Sequence, residues 1–230
     1  VFFWMAPAVA MIPSFVVFAV IPFGSFLGAQ KMVIADLNVG ILFTFGIVSL
    51  GVYGIVLAGY ASNAKYPFLG GIRSSAQMIS YEIAMGFSIL GVCLCSGSLN
   101  LTTIVVNQAY YTTWYCLPLY PLFVVFFISI LAETNRAPFD LPEAEAELVS
   151  GYNTEYSSVA FALFFLGEYS NMLLMSALWT MLFMGGWDSP LFFLPSEAVF
   201  GLKVTIAAYL FILVRAILPR YRYDKLIELG

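Results

Sequence analysis

The sequence predicts an all-α fold, a polytopic bundle of transmembrane helices forming one membrane domain over residues 1–230. Three observations carry this expectation. First, 62% of the residues are hydrophobic and only 10% are charged, with a mean hydropathy of +0.94; a soluble domain carries roughly 25% charged residues. Second, the chain divides into apolar runs of spanning length, and a spanning helix needs about 20 such residues. Third, the basic residues gather on one set of connections between the runs. Backbone groups must pair within a segment inside lipid, so the runs are expected as helices.

Six spanning helices are expected, at approximately 1–22, 39–60, 74–95, 118–131, 157–185 and 197–218. Loops 23–38, 96–117 and 186–196 then fall on one side. Loops 61–73 and 132–156 and the tail after Leu218 fall on the other. The second side holds seven bases near helix ends, Lys65, Arg73, Arg136, Arg215, Arg220, Arg222 and Lys225; the first holds two, Lys31 and Lys203. The positive-inside rule makes the second side cytoplasmic or matrix-facing. Glycines recur at Gly46, Gly51, Gly54 and Gly59. They mark either close helix contacts or the general frequency of glycine in membrane helices.

Composition also excludes several chemistries. With no histidine in the chain, there is no His-based triad, haem ligand or HExxH zinc site. Cys93, Cys95 and Cys116 are three thiols where an iron–sulfur cluster usually takes four, and they read as inert buried cysteines. No metal site and no catalytic residue of its own are expected. The net charge of −4 comes mostly from one segment and implies no nucleic-acid partner.

That segment, Ala132–Ser158, reads AETNRAPFDLPEAEAELVSGYNTEYSS and places Glu133, Asp140, Glu143, Glu145, Glu147 and Glu155 against the single base Arg136. Its middle reads as a short helix. Asp140 is a good N-cap, with Glu143 three residues on as in a capping box; Pro142 suits the first turn and Gly151 the end. Glu143 and Glu147 share a face at i,i+4, where like charges repel. In a partly desolvated site such a pair titrates as a unit, holding one proton to higher pH. A solvated acidic surface loop is the plainer reading of the same run.

Two further acids lie inside apolar runs. Glu82 is about 12 Å along its helix from Ser74, and Glu168 about 16 Å from Ser157, at 1.5 Å per residue. A charge at such depth costs roughly 2.5–3.5 kcal/mol on insertion scales. No base lies within a helical turn of either. Each is therefore expected to be protonated, to face a wet cavity, or to meet a cation from another helix. A proton or ion path is the default function; a neutral acid bonding two helices together is the structural alternative. Arg73, Arg136, Arg215 and Arg220 are candidate cations or a polar entry, though loop arginines also simply set topology, and Arg215 can snorkel to the interface.

The acidic segment closely resembles the most characteristic stretch of the subunit 1 family of respiratory complex I. GYASNAKYPFLGGIRSSAQMISYE (Gly59–Glu82), ADLNVGIL (Ala35–Leu42), FALFFLGEYSNM (Phe161–Met172) and PRYRYDKL (Pro219–Leu226) resemble it too, in the same order. The resemblance covers nearly the whole chain. It implies an eight-helix subunit, with one helix and an amphipathic segment before Val1 and one helix after Gly230. It implies a membrane subunit of a proton-translocating NADH:quinone oxidoreductase. Such a subunit lines the quinone tunnel, begins the acidic relay towards the pumps and docks the redox arm. Glu82, Glu133, Asp140, Glu143, Glu145, Glu147 and Glu168 match the family's functional acids. Arg73, Arg136 and Arg220 match its basic positions near the tunnel.

By the same resemblance, ubiquinone is the substrate, no cofactor is bound covalently, and NADH, FMN and iron–sulfur clusters belong to partner subunits. The expected partners are the quinone-site and terminal iron–sulfur cluster subunits of the redox arm, the neighbouring small membrane subunits and lipids. The expected location is the mitochondrial inner membrane, multi-pass, with the bacterial plasma membrane as alternative. Two other readings are the equivalent subunit of a membrane-bound hydrogenase-type complex and an independent secondary transporter. A transporter of that kind predicts inverted repeats and helices broken at mid-membrane.

Overall fold

The computed structural model describes residues 2–26, 30–111, 113–136, 138–139, 156, 158–188 and 195–219. Within them the chain forms seven helices: α1 (Phe2–Phe18), α2 (Gly40–Ala61), α3 (Lys65–Ser96), α4 (Leu101–Tyr110), α5 (Tyr120–Glu133), α6 (Ser158–Phe183) and α7 (Ser196–Ile217). A two-residue antiparallel ribbon, β1 (Ser25–Phe26) with β2 (Gln30–Lys31), pairs Ser25 with Lys31.

Four helices, α2, α3, α6 and α7, are long and apolar enough to cross a membrane; α1 and α5 are apolar but shorter. The six-span expectation is therefore met in full by four helices. The fifth, α5, is 14 residues long, or about 21 Å at 1.5 Å per residue, which falls short of an approximately 30 Å core.

Two boundaries differ from expectation. The inner-side loop 61–73 is mostly helix: α3 begins at Lys65, and only Ser62–Ala64 form the turn, with Asn63 left-handed at φ 51°. The helix thus starts nine residues before the expected Ser74, and Pro67 lies in its first turn, where its missing N–H costs nothing. On the other side, loop 96–117 contains α4. Its N-cap Asn100 accepts from the Thr102 and Thr103 amides, as a good cap does.

Burial along α3 shows how the bundle meets its surroundings. Ile79, Ile83, Phe87, Leu90 and Leu94 are all exposed, while Ser74, Gln77, Met78, Tyr81, Met85, Ser88, Ile89 and Val92 are buried. Spacings of three and four place each set on one face. Large apolar side chains thus form a continuous outer stripe, which suits lipid or a partner subunit rather than water.

The helices pack in a ring. α1 lies against α2 and α6, α3 against α2 and α5, α6 also touches α5, and α7 lies against α6. Glycine sets two of these contacts. A Cβ on Gly54 would stand 2.6 Å from the Ala10 backbone nitrogen, and one on Gly59 would stand 2.8 Å from the Pro67 carbonyl oxygen. Gly46 and Gly51 face open space instead. Both sequence readings of these glycines therefore apply, each to two positions.

The C-terminal end of α6 shows complete pairing of the four carbonyls that a helix terminus orphans. The Thr180 carbonyl accepts from the Met184 and Gly186 amides, and the Phe183 carbonyl from the Cys116 amide. Buried Gln108 donates to the Met181 and Leu182 carbonyls at 2.9 and 3.2 Å. Beyond them, the Lys203 ammonium donates to the Met184, Gly186 and Asp188 carbonyls at 2.7, 3.0 and 2.6 Å and lies 4.5 Å from the centre of the Trp114 ring. Lys203→Met should thus lower the yield and melting temperature of the assembled protein, with a loss of about 3 kcal/mol or more expected for stranding several buried acceptors. A melting temperature unchanged from wild type would contradict this account. On the same side the Lys31 ammonium, 2.6 Å from Asp36, holds that carboxyl below the usual carboxylate range. Asn100 and Thr102 also donate to Asp36, tying loop 23–38 to α4.

Candidate functional site

The ring of helices encloses a half-open chamber of about 60 Å³ between the middle turns of α2 and α6 and the C-terminal end of α5. Ala10 and Ser14 of α1, Gly51 and Ile55 of α2, Met78 of α3 and Gly167 of α6 line its walls. Glu133, Thr134, Asn135, Glu168 and Asn171 supply its polar surface. A water needs roughly 10–15 Å³ of such space, so the chamber has room for about four to six.

Glu133 occupies the last turn of α5 and has 0% exposure. Neither carboxyl oxygen meets a hydrogen-bond partner among the described residues. Burial of a carboxyl without a partner is costly, and the adjoining polar chamber is its route to water. Glu82 of α3 lies close enough to act electrostatically on Glu133, with Ser49 beside it. It does not line the chamber.

The chain leaves α5 through a sharp reversal. Asn135 is left-handed, φ 49°. Its amide donates to the Ala132 carbonyl, and the Arg136 amide donates to the Leu131 carbonyl, which is the Schellman pattern. Asn is among the few residues other than Gly that enter this region readily. The reversal sends Arg136 back across the bundle. Its Nε stands 3.0 Å from Glu168 Oε1, with side-chain exposures of 11% and 13%. Its guanidinium carbon lies 4.4 Å from the centre of the Tyr169 ring. Glu168 thus meets a cation from another element, one of the three outcomes open to it from sequence.

Opposite this pair, Ser14 and Ser170 are buried and 2.7 Å apart, joining α1 to α6. Tyr156, just before α6, stacks on Phe3 at 4.2 Å and meets Phe164 edge-on at 5.0 Å. Burial pushes its hydroxyl up to about 12, so it stays protonated at physiological pH.

The structure therefore sets Glu133 and Glu168 in the wall of one chamber, pairs Arg136 with Glu168 and puts Glu82 within electrostatic reach of Glu133. Arg73 is half-buried on α3. Arg215 is exposed in the last turn of α7, where a cation suits the helix dipole, and it does not line the chamber. Asp140, Glu143, Glu145, Glu147 and Arg220, with the short helix expected around them, lie outside the described residues. Sequence reasoning missed Ser14, Gln77, Asn135, Tyr169, Ser170 and Asn171. Asn135 alone carried a local signal, an Asn just past an apolar helix.

The comparisons with known proteins agree with one another. A family model described as NADH dehydrogenase matches residues 1–230. An NADH-quinone oxidoreductase subunit of Rhodospirillum centenum is 55% identical over 100% of this chain and 68% of its own length. NADH-ubiquinone oxidoreductase chain 1 of Chondrus crispus is 53% identical over 100% of this chain and 70% of its own. The protein of that name from Triticum aestivum is 55% identical over 99% and 70%. With a family model covering every residue and such identity over the whole chain, this multi-pass membrane protein belongs to the NADH dehydrogenase family, which holds the bacterial NADH-quinone oxidoreductase subunit and chain 1 of the NADH-ubiquinone oxidoreductases.

Proposed function

We propose that the chain is the membrane subunit of a proton-translocating NADH:quinone oxidoreductase that couples events at the quinone to an acidic proton relay. The carrying observation is that Glu133 and Glu168 both line one polar chamber inside a ring of apolar helices, with Arg136 paired to Glu168. Burying two carboxyls in such a place is expensive unless they serve a proton or ion path. At about 60 Å³ the chamber is far smaller than the ~300–1,000 Å³ of a typical ligand pocket. It suits water and protons, not a quinone ring.

On this reading the chamber is the membrane end of the relay. Glu82 supplies a neighbouring acid, and Asp140, Glu143, Glu145 and Glu147 supply the approach from the inner side. Ubiquinone, the acceptor in the chain 1 relatives' names, reaches the redox arm along a passage that this subunit lines jointly with partner subunits. Arg73 and Arg220 stand near its polar end. Inner-side segments dock the redox arm, whose subunits carry FMN and the iron–sulfur clusters. The mitochondrial inner membrane is the proposed location, supported by the resemblance of the acidic motif to mitochondrial sequences of plants and protists.

The test is Glu133→Gln in the assembled complex. Quinone-linked turnover and proton pumping should fall by about 100-fold, the scale seen when a positioned proton-transfer group is lost. NADH oxidation by an artificial acceptor at the redox arm should persist. Normal quinone turnover and pumping in the fully assembled variant would make Glu133 structural and defeat the relay.

A further inference from the structure

Gln77 is buried at 5% exposure on α3, on the same face as Ser74, Met78 and Tyr81. Its Nε2 donates to the Ala132 carbonyl at 3.0 Å and to the Phe139 carbonyl at 2.9 Å. These carbonyls lie at the two ends of one short stretch. Between them fall Glu133, the left-handed Asn135 and Arg136. One nitrogen thus closes the segment that presents both the buried acid of the chamber and the base paired with Glu168.

Two neighbours on α3 reinforce the tether. Tyr81 packs its ring 5.7 Å from that of Phe139, and Met78 Sδ accepts from Asn135 Nδ2 at 3.5 Å.

The chemistry requires an amide. Two carbonyl acceptors at one point need two N–H donors on one atom, which the NH₂ of Gln supplies; a protonated Glu offers one donor and Met none. The Ala132 carbonyl already accepts the Asn135 amide within the helix-ending turn. The Gln77 bond to it is therefore a second bond, and its consequence is placement. A side chain tied one residue before Glu133, and again at Phe139, controls where the relay's membrane acid sits relative to α3.

We propose that Gln77 is a positioning residue for the proton relay, fixing the Glu133 carboxyl against α3 through its two carbonyl bonds at Ala132 and Phe139. This proposal rests on the relay reading of Glu133 given above. Gln77 itself transfers no proton. Its loss frees the stretch that carries the Glu133 carboxyl, and misplacement of about 1 Å can cost a reaction roughly 100-fold.

The experiment uses Gln77→Met and Gln77→Glu in the complete complex, with Glu133→Gln measured in parallel. Rates are expressed per assembled complex. In the Gln77 variants kcat for quinone-linked turnover should fall about tenfold or more, with KM for quinone nearly unchanged, because a relay interaction acts on turnover rather than on uniform substrate binding. The artificial-acceptor rate should stay at the wild-type level, and Gln77→Glu, with one donor at most, should lie between Gln77→Met and wild type. If only one variant assembles, that one is read. The proposal is overturned if kcat stays within about twofold of wild type, a change of roughly 0.4 kcal/mol at 1.36 kcal/mol per tenfold. It is equally overturned if quinone and artificial-acceptor rates fall together, or if neither variant assembles, since Gln77 would then serve folding alone. Should Glu133→Gln keep normal turnover, the relay reading fails with it; should Glu133→Gln lose turnover while the Gln77 variants do not, only the positioning role fails.

Discussion

Glu168→Gln should cripple the protein twice, and Arg136→Met in the same chain should repair one defect and not the other. The single change leaves the Arg136 guanidinium, 11% exposed and seated on the Tyr169 ring, without the carboxylate 3.0 Å from its Nε. Removing one partner of a buried ion pair costs about 3–5 kcal/mol, whereas replacing both with groups of similar size is often neutral. The yield of assembled complex should therefore drop in Glu168→Gln and in Arg136→Met, and recover in the double variant. Quinone-linked turnover should not recover, because the double variant has lost an acid of the proposed relay. Arg136→Lys should rescue poorly, since a lysine lacks the planar fork that pairs with a carboxylate and stacks on tyrosine at once. Native electrophoresis with an artificial-acceptor assay measures assembly, and quinone reduction measures function. A double variant that assembles no better than the singles would mean that the pair does not act as a unit. One that assembles and turns over normally would mean that Glu168 carries no protons.

How much of this was legible beforehand depends on the range of the interaction. The membrane class and the approximate places of the long helices follow from composition and run length, which are local. Glu82, Glu133 and Glu168 stood out because an acid among apolar residues is rare. Contacts across the bundle have no such trace. Nothing near Gln77 points to Ala132 or Phe139, 55 and 62 positions away. Nothing near Ser14 points to Ser170, 156 positions away. Uncharged polar residues are common in membrane helices, so their presence alone singles out none of them. The start of α3 was lost for a different reason: hydropathy marks the most apolar stretch, and the nine residues Lys65–Arg73, with a base at each end, extend the helix before it by about 13 Å at 1.5 Å per residue. The cap that starts α4 was readable at Asn100. The run behind it is only ten residues long, and its β-branched residues favour helix only weakly.

Gly54→Val should abolish assembly, while Gly46→Ala on the same helix should leave it unchanged. Both glycines lie in α2 and look alike in sequence. Their surroundings differ. A Cβ on Gly54 would meet Ala10 at 2.6, 2.8 and 2.9 Å, at the backbone nitrogen, Cα and Cβ in turn. No rotamer change relieves a clash with backbone, so α1 must move away from α2. Yet α1 is held from its other flank, where Gly167 of α6 brings a Cβ position to 3.3 Å from Met11 Cα. The Ser14–Ser170 bond at 2.7 Å fixes the same flank. Displacing α1 therefore opens both of its interfaces, and with them the wall of the chamber formed by Ala10 and Ser14. Overpacking a tight interior costs about 1–3 kcal/mol when neighbours can adjust; here two backbones resist, and the cost should reach or pass the upper end of that range. Gly54→Ala should show a milder form of the same defect. A Cβ on Gly46 meets nothing within 4 Å, and alanine is the better helix former by roughly 1 kcal/mol in soluble helices. Assembled yield by native electrophoresis separates the cases. Equal yields for Gly54→Val and Gly46→Ala would show that α1 and α2 do not pack as closely as this interface requires.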